Sequence, residues 1–235
     1  MSGHEAATLL RANAIFAALP GREIDALAAV ALEESYRARE YIFMEGDPAL
    51  WLYIVKVGRV KILRHSRAGR DVVLEMLGPG EVFGGVAVIE RRPYPASAQV
   101  LEAATVVKLA AEVVLPLTER QPSIIKEMAL MIGRRLRSAH DSVKSLAVDP
   151  VEARLAARLL RLAESEGTAR KTGLMLPFHL TRQSLADMTG TTVETTIRIV
   201  SRWLKDGLLL DANGRFVLTD VAALRALSEG ERRED

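Results

Sequence analysis

The chain has 235 residues, 49% of them hydrophobic and 26% charged, with 32 lysines and arginines, 30 acidic residues and no cysteine. This length fits one large or two modest domains, and the apolar content excludes a disordered chain. No apolar run reaches the roughly 18 residues of a membrane span, and Met1–Leu10 lacks a secretory pattern. The missing cysteines exclude disulfides, cysteine-bound iron–sulfur clusters, thiolate zinc sites and cysteine nucleophiles. We therefore expect a cytoplasmic protein with no membrane partner.

Charge is distributed evenly along the chain. Residues 150–235 hold 13 basic and 12 acidic residues, and the formal net charge of the whole chain is +2. A nucleic-acid-binding function would therefore depend on a few placed side chains and not on a general cationic field.

Short apolar or alternating runs, separated by glycine and proline, fill the chain up to about residue 115. Before them, only Ile24–Leu32 has helical spacing, and Gly58 is expected to separate two of the runs. The predicted strands are Tyr53–Val57, Val60–Leu63, Val72–Leu77 and Thr105–Leu109. Many short strands with such turns predict an antiparallel sandwich or roll.

A heptad-like pattern follows Pro116 and Pro122. Apolar or small residues recur at spacings of 4 and 3, which is the seam of a left-handed coiled coil. The seam consists of Ile125, Ala129, Ile132, Leu136, Ala139, Val143 and Leu146. Leu130 and Met131 lie off this seam and are expected to pack on the strand domain. We predict a parallel dimer helix; the alternative is a helix buried against its own domain.

The last third predicts a winged helix-turn-helix. Asp149–Pro150 marks a helix boundary, and Val151–Ser165 carries a leucine face. Two helical segments, Arg182–Thr189 and Thr192–Lys205, follow and are joined through Gly190. Asn213–Gly214 between apolar runs is a strong hairpin signal, because both turn residues need positive φ.

The start of the second helical segment carries candidate base-reading residues. Arg198 has the donors for guanine, and Glu194 can accept from cytosine. The full outward set is Thr192, Val193, Glu194, Ile197 and Arg198, while Thr181, Arg182, Thr192 and Thr195 suit phosphates. Two simpler interpretations stay open: Thr191 and Glu194 form a capping box, or Glu194 and Arg198 form an i,i+4 ion pair.

Two motifs carry a resemblance to a known family. The stretch from Leu180 to Arg198 closely resembles the helix-turn-helix of Crp/Fnr bacterial transcription regulators, and Gly46–Ala49 with the strand after it looks like the first signature of a cyclic-nucleotide-binding β-roll. The resemblance implies an α+β protein with a β-roll sensor domain (1–116), a dimerisation helix (117–148) and a winged helix-turn-helix (149–235). It also implies double-stranded DNA, a second copy of the chain and RNA polymerase as partners.

The resemblance assigns base reading to Glu194 and Arg198. Val193 stands where the cyclic-AMP-responsive branch has arginine, which resembles the Fnr-like branch and implies palindromes of TTGA-type half-sites. Ile197 departs from the serine common there, and an apolar contact with a thymine methyl is expected instead.

The second signature of the roll departs from the family pattern. Gly85 stands where cyclic-nucleotide binders have the ribose-holding glutamate, and Ala96 stands where they have the phosphate-pairing arginine. We therefore predict that cyclic AMP does not bind in the usual way, since a buried phosphate needs a cation. The candidate effector pocket comprises Phe83, Gly84, Gly85, Ala96, Ser97, Ala98, Ala139 and His140.

The effector is left open. Haem is possible, because relatives resembling the chain around Pro93–Gln99 sense nitric oxide through haem, and His140 is the candidate ligand; no other metal site is expected. A ligand-independent regulator is the alternative, with Val86, Val88 and Ile89 filling the pocket. No nucleotide-cradling loop, His-x-x-x-His pair or serine elbow is present, so we expect no enzyme activity. A sensor or adaptor without DNA reading is the other class, but it leaves Glu194 and Arg198 without a role.

Overall fold

A computed structural model describes residues 3–65 and 71–229 of the chain. The described residues divide into two compact units, one of residues 3–65 and 73–137 and the other of residues 71–72 and 138–229. A β-sheet unit and a helix-turn-helix unit are present as expected, which confirms the predicted α+β class. Within the two described ranges, no helix is both long and apolar enough to cross a membrane.

Helices cover one side of an antiparallel β-roll in the N-terminal half. The elements are α1 (Gly3–Ala12), α2 (Gly21–Val30), β1 (Leu32–Tyr36), β2 (Tyr41–Phe43), β3 (Trp51–His65), β4 (Asp71–Leu77), β5 (Val82–Phe83), α3 (Gly85–Glu90), β6 (Ser97–Ala110), α4 (Ala111–Arg120) and α5 (Pro122–Val148). The main path of the sheet runs β1-β6-β3-β4, with β2 on β6 and β5 on β3. The boundary expected at residue 116 falls inside α4, which contains Pro116.

Strand β3 is continuous where the sequence predicted a break at Gly58. Gly58 has φ +83 and sits at a shift of register against β6. A Cβ at this position would lie 2.3 Å from the carbonyl oxygen of Ala103, so only glycine permits the approach. Gly58 is therefore a bulge inside one long strand, and the expectation that it separates two strands is wrong.

Two cores use opposite faces of β3. Leu52 and Ile54 point to a core shared with α1, α2, α3 and the start of α5. Tyr53 and Val55 point to the interior of the roll. Because successive strand residues face opposite sides, both sets are buried, which explains the nearly unbroken apolar run at this point.

Several helices were not predicted from the sequence. The expected helical run Ile24–Leu32 corresponds to α2, but Leu32 already begins β1. Helices α1 and α3 were missed because their buried faces are built largely from alanine, glycine and valine, which give weak periodicity.

Helix α5 buries one face and exposes another. Ile124 and Met128 are buried in the first core, and Met131 packs against it as expected. Leu130 is 48% exposed, so the expectation that it packs on the strand domain is wrong. All seven seam residues are exposed in the single chain: Ile125, Ala129, Ile132, Leu136, Ala139, Val143 and Leu146. The seam is thus available for a partner helix.

The second unit contains the predicted helix-turn-helix and hairpin. Its elements after α5 are α6 (Val151–Glu166), β7 (Thr168–Arg170), β8 (Gly173–Met175), α7 (Arg182–Thr189), α8 (Val193–Lys205), β9 (Leu209–Ala212), β10 (Arg215–Leu218) and α9 (Val221–Ser228). The four strands form one antiparallel sheet in the order β7-β8-β10-β9. The predicted leucine face of α6 is buried, whereas β7 and α9 were not predicted.

Candidate DNA-binding site

Two threonine caps and one glycine define the turn between α7 and α8. The hydroxyl of Thr181 accepts a hydrogen bond from the amide of Ser184 at 3.0 Å, and the hydroxyl of Thr192 accepts one from the amide of Thr195 at 3.3 Å. Gly190 has φ +62 and ends α7 in the left-handed conformation. The local sequence therefore starts both helices and bends the chain between them.

Apolar side chains pack α7 against α8. Ala186 on α7 and Val200 on α8 are fully buried, and the small alanine permits a close approach. Trp203 is buried near the C-terminal end of α8, and its indole N–H donates to the Glu152 carboxylate on α6 at 2.8 Å. The packing face of α8 is thus fixed, which determines the face that is left to solvent.

The solvent face of α8 presents the predicted base-reading residues. Glu194 and Arg198 are exposed, and Ile197 is 47% exposed, while Val193 and Thr195 are half-buried. The capping-box interpretation of Glu194 is wrong, because Thr192 caps the helix and Thr195 occupies the paired position. Within the described residues, neither Glu194 nor Arg198 forms an ion pair or hydrogen bond, so both side chains are available to a ligand.

The β9–β10 hairpin forms a wing beside α7. Asn213 and Gly214 have φ of +55 and +81, and Ala212 pairs with Arg215, as the sequence predicted for a two-residue loop. The Asp211 carboxylate accepts the Gly214 amide hydrogen at 2.6 Å and holds the turn. The turn residues are exposed and belong to the same unit as α8.

Part of the second sequence-predicted site, including Phe83 and Ala98, lies inside the β-roll beside a group of aromatic rings. Phe43 stacks on Tyr94 with ring centroids 3.7 Å apart, and Tyr53 stacks on Phe83 at 5.0 Å. All four side chains are buried. Burial raises the pKa of both tyrosine hydroxyls, so both stay neutral in the physiological range. We call Phe43, Tyr53, Phe83 and Tyr94 the aromatic cluster.

Two family models match the chain in the order roll and helix-turn-helix. One, described as a cyclic nucleotide-binding domain, matches residues 33–121, and one described as a Crp-like helix-turn-helix domain matches residues 153–227. The cyclic AMP receptor protein of Thermus thermophilus is 28% identical over 221 residues, which cover 94% of this chain and 99% of that protein. The transcriptional activator protein anr of Pseudomonas aeruginosa is 25% identical over 193 residues, which cover 82% of this chain and 78% of that protein.

The solved structure of FixK2 from Bradyrhizobium japonicum has a TM-score of 0.75 and 25% identity, covering 84% of this chain and 97% of that one. The chain belongs to the Crp/Fnr family. It is a DNA-binding transcription regulator of the Crp/Fnr type, as the helix-turn-helix residues predicted.

Most of the β-roll residues that the sequence assigned to the effector pocket are buried in this Crp/Fnr regulator. A Cβ at Gly85 would lie 2.9 Å from Leu52 Cδ1 and 3.1 Å from Met128 Cε, so the position lies against the first core and has little room for a longer side chain. Ala96 and Ala98 are buried, and the Ser97 hydroxyl accepts the amide hydrogen of Glu45 at 2.9 Å. Phe83 and Ala98 share the core inside the roll, and Gly84 caps α3 beside them.

Tyr94 is one of the aromatic residues in the roll that the sequence did not assign to the site. Its hydroxyl donates to the carbonyl of Trp51 at 2.7 Å, and its own amide donates to the carbonyl of Asp47 at 2.9 Å. The amide of Gly46 in turn donates to the carbonyl of Tyr94 at 2.9 Å. Tyr94 thus ties the segment before Ala96 to the Gly46–Ala49 turn. An isolated tyrosine between two prolines gave no sign of this role.

The larger side chains of helix α3 do not point into the roll, contrary to expectation. Val86, Val88 and Ile89 pack against the first core, and only Ala87 enters the roll. The expectation that these three residues fill the pocket is therefore wrong. Helical spacing places Ala87 on the opposite face from its larger neighbours, and the aromatic cluster supplies the bulk instead.

The two α5 residues assigned to the pocket belong to the second unit. Ala139 and His140 are both exposed on α5, and the His140 ring has no hydrogen bond within the described residues. A haem ligand usually lies in a covered pocket, whereas His140 stands on an open helix surface. In the described part of the chain, no three histidine or acidic side chains lie close enough together to hold a metal ion.

His179 is a second residue that the sequence did not assign to the site. It is exposed, and a Cβ added to Gly214 would lie 2.5 Å from its Nδ1 atom. The imidazole therefore lies against the wing turn. Nothing in the local sequence indicates this contact, because 35 positions separate the two residues.

Proposed function

We propose that this regulator binds palindromic operator DNA as a homodimer that pairs through the α5 seam. The supporting observation is the row of apolar seam side chains left open to solvent, with Leu136 54% exposed and Val143 66% exposed. A two-fold axis along such a seam spaces the two α8 helices for half-sites about one helical turn, roughly 34 Å, apart.

Base reading is assigned to Glu194 and Arg198. A recognition helix contacts base edges with its N-terminal residues, and both side chains stand near the start of α8 without partners within the described residues. Arg198 suits guanine and Glu194 suits cytosine, which fits the G·C pair of a TTGA half-site. Ile197 offers an apolar contact to a neighbouring thymine methyl. Thr181, Arg182, Thr192 and Thr195 are assigned to phosphates.

A gel shift with a TTGA-N6-TCAA duplex tests this function. Arg198→Ala is expected to weaken operator binding by about 1–3 kcal/mol and to relax the preference at the G·C pair. Lys205→Ala, an exposed cation at the far end of α8, is the matched control and is expected to leave that preference unchanged. Absence of a sequence-specific shift by the wild type at moderate salt would contradict the proposal.

The sensor domain is proposed not to bind cyclic AMP in the usual way, although one relative carries the name cyclic AMP receptor protein. The aromatic cluster occupies the interior of the roll, and alanine and glycine stand where the phosphate and ribose partners are needed. Calorimetry with cyclic AMP is expected to show no binding at micromolar concentrations. Binding in that range would overturn this part of the proposal.

Because the aromatic cluster packs the interior of the roll, we favour a regulator that works without a ligand there. An absorbance spectrum and mass analysis of protein from its own host are expected to show neither haem nor a nucleotide. A Soret band that shifts on His140→Ala would instead support the haem-dependent alternative. In either case we propose a cytoplasmic, non-enzymatic protein that acts on transcription through RNA polymerase.

A further inference from the structure

Arg154 on α6 connects the backbones of two separate helix ends. Its Nε donates to the carbonyl of Thr189, the last residue of α7, at 3.0 Å. Its Nη1 donates to the carbonyl of Asp149, which lies between α5 and α6, at 2.8 Å. Carbonyls at helix C-terminal ends lack partners within their own helix, and a cation there is favourable. One guanidinium therefore satisfies both connections.

Leu146 on α5 touches the same turn from its apolar side. A Cβ added to Gly190 would lie 2.7 Å from Leu146 Cδ2, so the leucine methyl lies directly over the glycine. Leu146, Arg154 and Gly190 all belong to the second unit, which includes α5 from Ser138 onward. The end of α5 and the turn before α8 are thus joined by one polar and one apolar contact.

Further contacts hold the backbone on both sides of the two carbonyls that Arg154 binds. The Thr189 hydroxyl donates to the Leu185 carbonyl at 2.7 Å, and the amide of Thr191 donates to the Ala186 carbonyl at 3.1 Å, so the turn follows α7. On the other side, the Ser145 hydroxyl donates to the Asp149 carboxylate at 2.5 Å and closes the end of α5. A displacement at the end of α5 therefore moves the carbonyl that Arg154 holds.

We propose that Arg154 is a positioning residue that couples the end of the dimer helix to the recognition helix and so sets the half-site spacing that the regulator accepts. This inference rests on the proposed operator binding by a homodimer. Arginine suits the role because its rigid fork reaches two acceptors at once, whereas lysine is a single point charge on a flexible stem. Arg154 itself need not touch DNA.

Half-site spacing is the measurement that separates positioning from plain stability. One extra base pair moves a half-site by about 3.4 Å and rotates it by roughly 35°, which a rigidly held recognition helix cannot follow. Two duplexes are compared, TTGA-N6-TCAA and TTGA-N7-TCAA, in titrations of the full-length protein. The wild type is expected to prefer the shorter spacing by about tenfold or more.

Arg154→Gln is expected to reduce that preference to about threefold or less, mainly through weaker binding to the N6 duplex, while the preference for TTGA over a scrambled half-site is retained. Arg161→Gln, an exposed arginine on the same helix, is the matched control and is expected to behave as the wild type. Arg154→Lys keeps the charge and is expected to restore the preference only in part.

A wild type that shows no sequence-specific shift refutes the proposed function. A wild type that discriminates the spacings while Arg154→Gln and Arg154→Lys discriminate equally well refutes only the coupling. Thermal unfolding accompanies every titration. If Arg154→Gln does not fold, Arg154→Lys decides, and wild-type discrimination in that variant overturns the proposal.

Discussion

The guanidinium of Arg182 lies 4.7 Å from the centroid of the Phe216 ring. Arg182 is the first residue of α7, and Phe216 is a buried residue of the wing strand β10. The contact links the helix-turn-helix to the wing through a cation–π interaction, worth about 0.5–1 kcal/mol at a partly exposed site. It also holds a phosphate-suited cation at one orientation, which lowers the entropy lost on binding.

Arg182→Gln is expected to weaken binding to all DNA sequences nearly equally, because a phosphate contact carries no base information. The slope of log affinity against log salt is expected to fall by about 1. Phe216→Leu keeps the charge but removes the ring, so it should weaken binding less and leave the salt slope unchanged. A changed base preference in Arg182→Gln would mean that the side chain reads a base.

The seam prediction is tested at Leu136. Leu136→Pro is expected to abolish both the dimer and operator binding, since proline breaks the helix in the middle of the seam. Leu136→Asp tests the same contact with the helix intact, and Leu130→Asp is its control at a similarly exposed position off the seam. Sedimentation should show monomers for the Leu136 variants and dimers for Leu130→Asp. A dimer that survives Leu136→Asp means that the seam does not form the dimer.

Arg158 on α6 is a half-buried cation, and its removal is expected to stabilise the second unit. Its Nε is buried without a hydrogen-bond partner, and burial lowers the pKa of the guanidinium to about 10. Arg158→Met keeps the apolar stem and removes the desolvated charge, so unfolding should require about 1 kcal/mol more.

Arg161→Met, at an exposed position one turn along α6, is expected to change the free energy of unfolding by less than about 0.5 kcal/mol. Denaturant unfolding of the full-length protein measures both variants. A loss of stability in Arg158→Met would reveal that the guanidinium makes a favourable interaction.

The ion pair between Glu75 on β4 and Arg135 on α5 predicts a pH effect on the first unit. The two side chains are 2.9 Å apart, and the Arg135 guanidinium also donates to the carbonyl of Val82 at 2.8 Å. Burial raises the pKa of the Glu75 carboxyl, helped by the nearby Glu81 charge and opposed by Arg135. The folded state therefore holds this proton more tightly than the unfolded state does.

The stabilising effect of the Glu75 proton is complete below the ordinary carboxyl pKa of 4.5 and is lost as the pH rises through the higher folded value. The free energy of unfolding of the wild type minus that of Glu75→Gln should consequently decrease from pH 4 upward. Urea titrations at several pH values measure this difference. A difference that increases with pH would show that the Arg135 charge outweighs burial.

Local sequence was sufficient to predict the helix-turn-helix and the wing turn of the second unit. The threonine caps, Gly190 and Asn213–Gly214 each act on neighbouring backbone, so their effects are readable from residues a few positions apart. The row of heptad residues on α5 could be identified for the same reason, because its members are three or four positions apart. Glu194 was interpreted in three ways, and the structure removed the capping-box interpretation by placing the cap on Thr192.

Contacts between residues that are far apart in the chain could not be predicted from the sequence. Gly58 indicated a break, and only its contact with the Ala103 carbonyl on β6 shows a bulge in a continuous strand. The Arg182–Phe216 contact and the joint at Arg154 depend likewise on packing between separate elements, which leaves no periodic signal.

The identity of two residues could be read directly from the sequence: Gly85 and Ala96 stand where the family resemblance expects a carboxylate and a cation, and neither residue can supply one. What occupies the roll instead could be seen only once the strands and loops were placed together. Phe43, Tyr53, Phe83 and Tyr94 come from four separate segments, and their stacking follows from close packing inside a closed sheet. The sequence shows when a residue lacks the functional group that a ligand contact needs. Which side chains pack inside the roll depends on the whole fold.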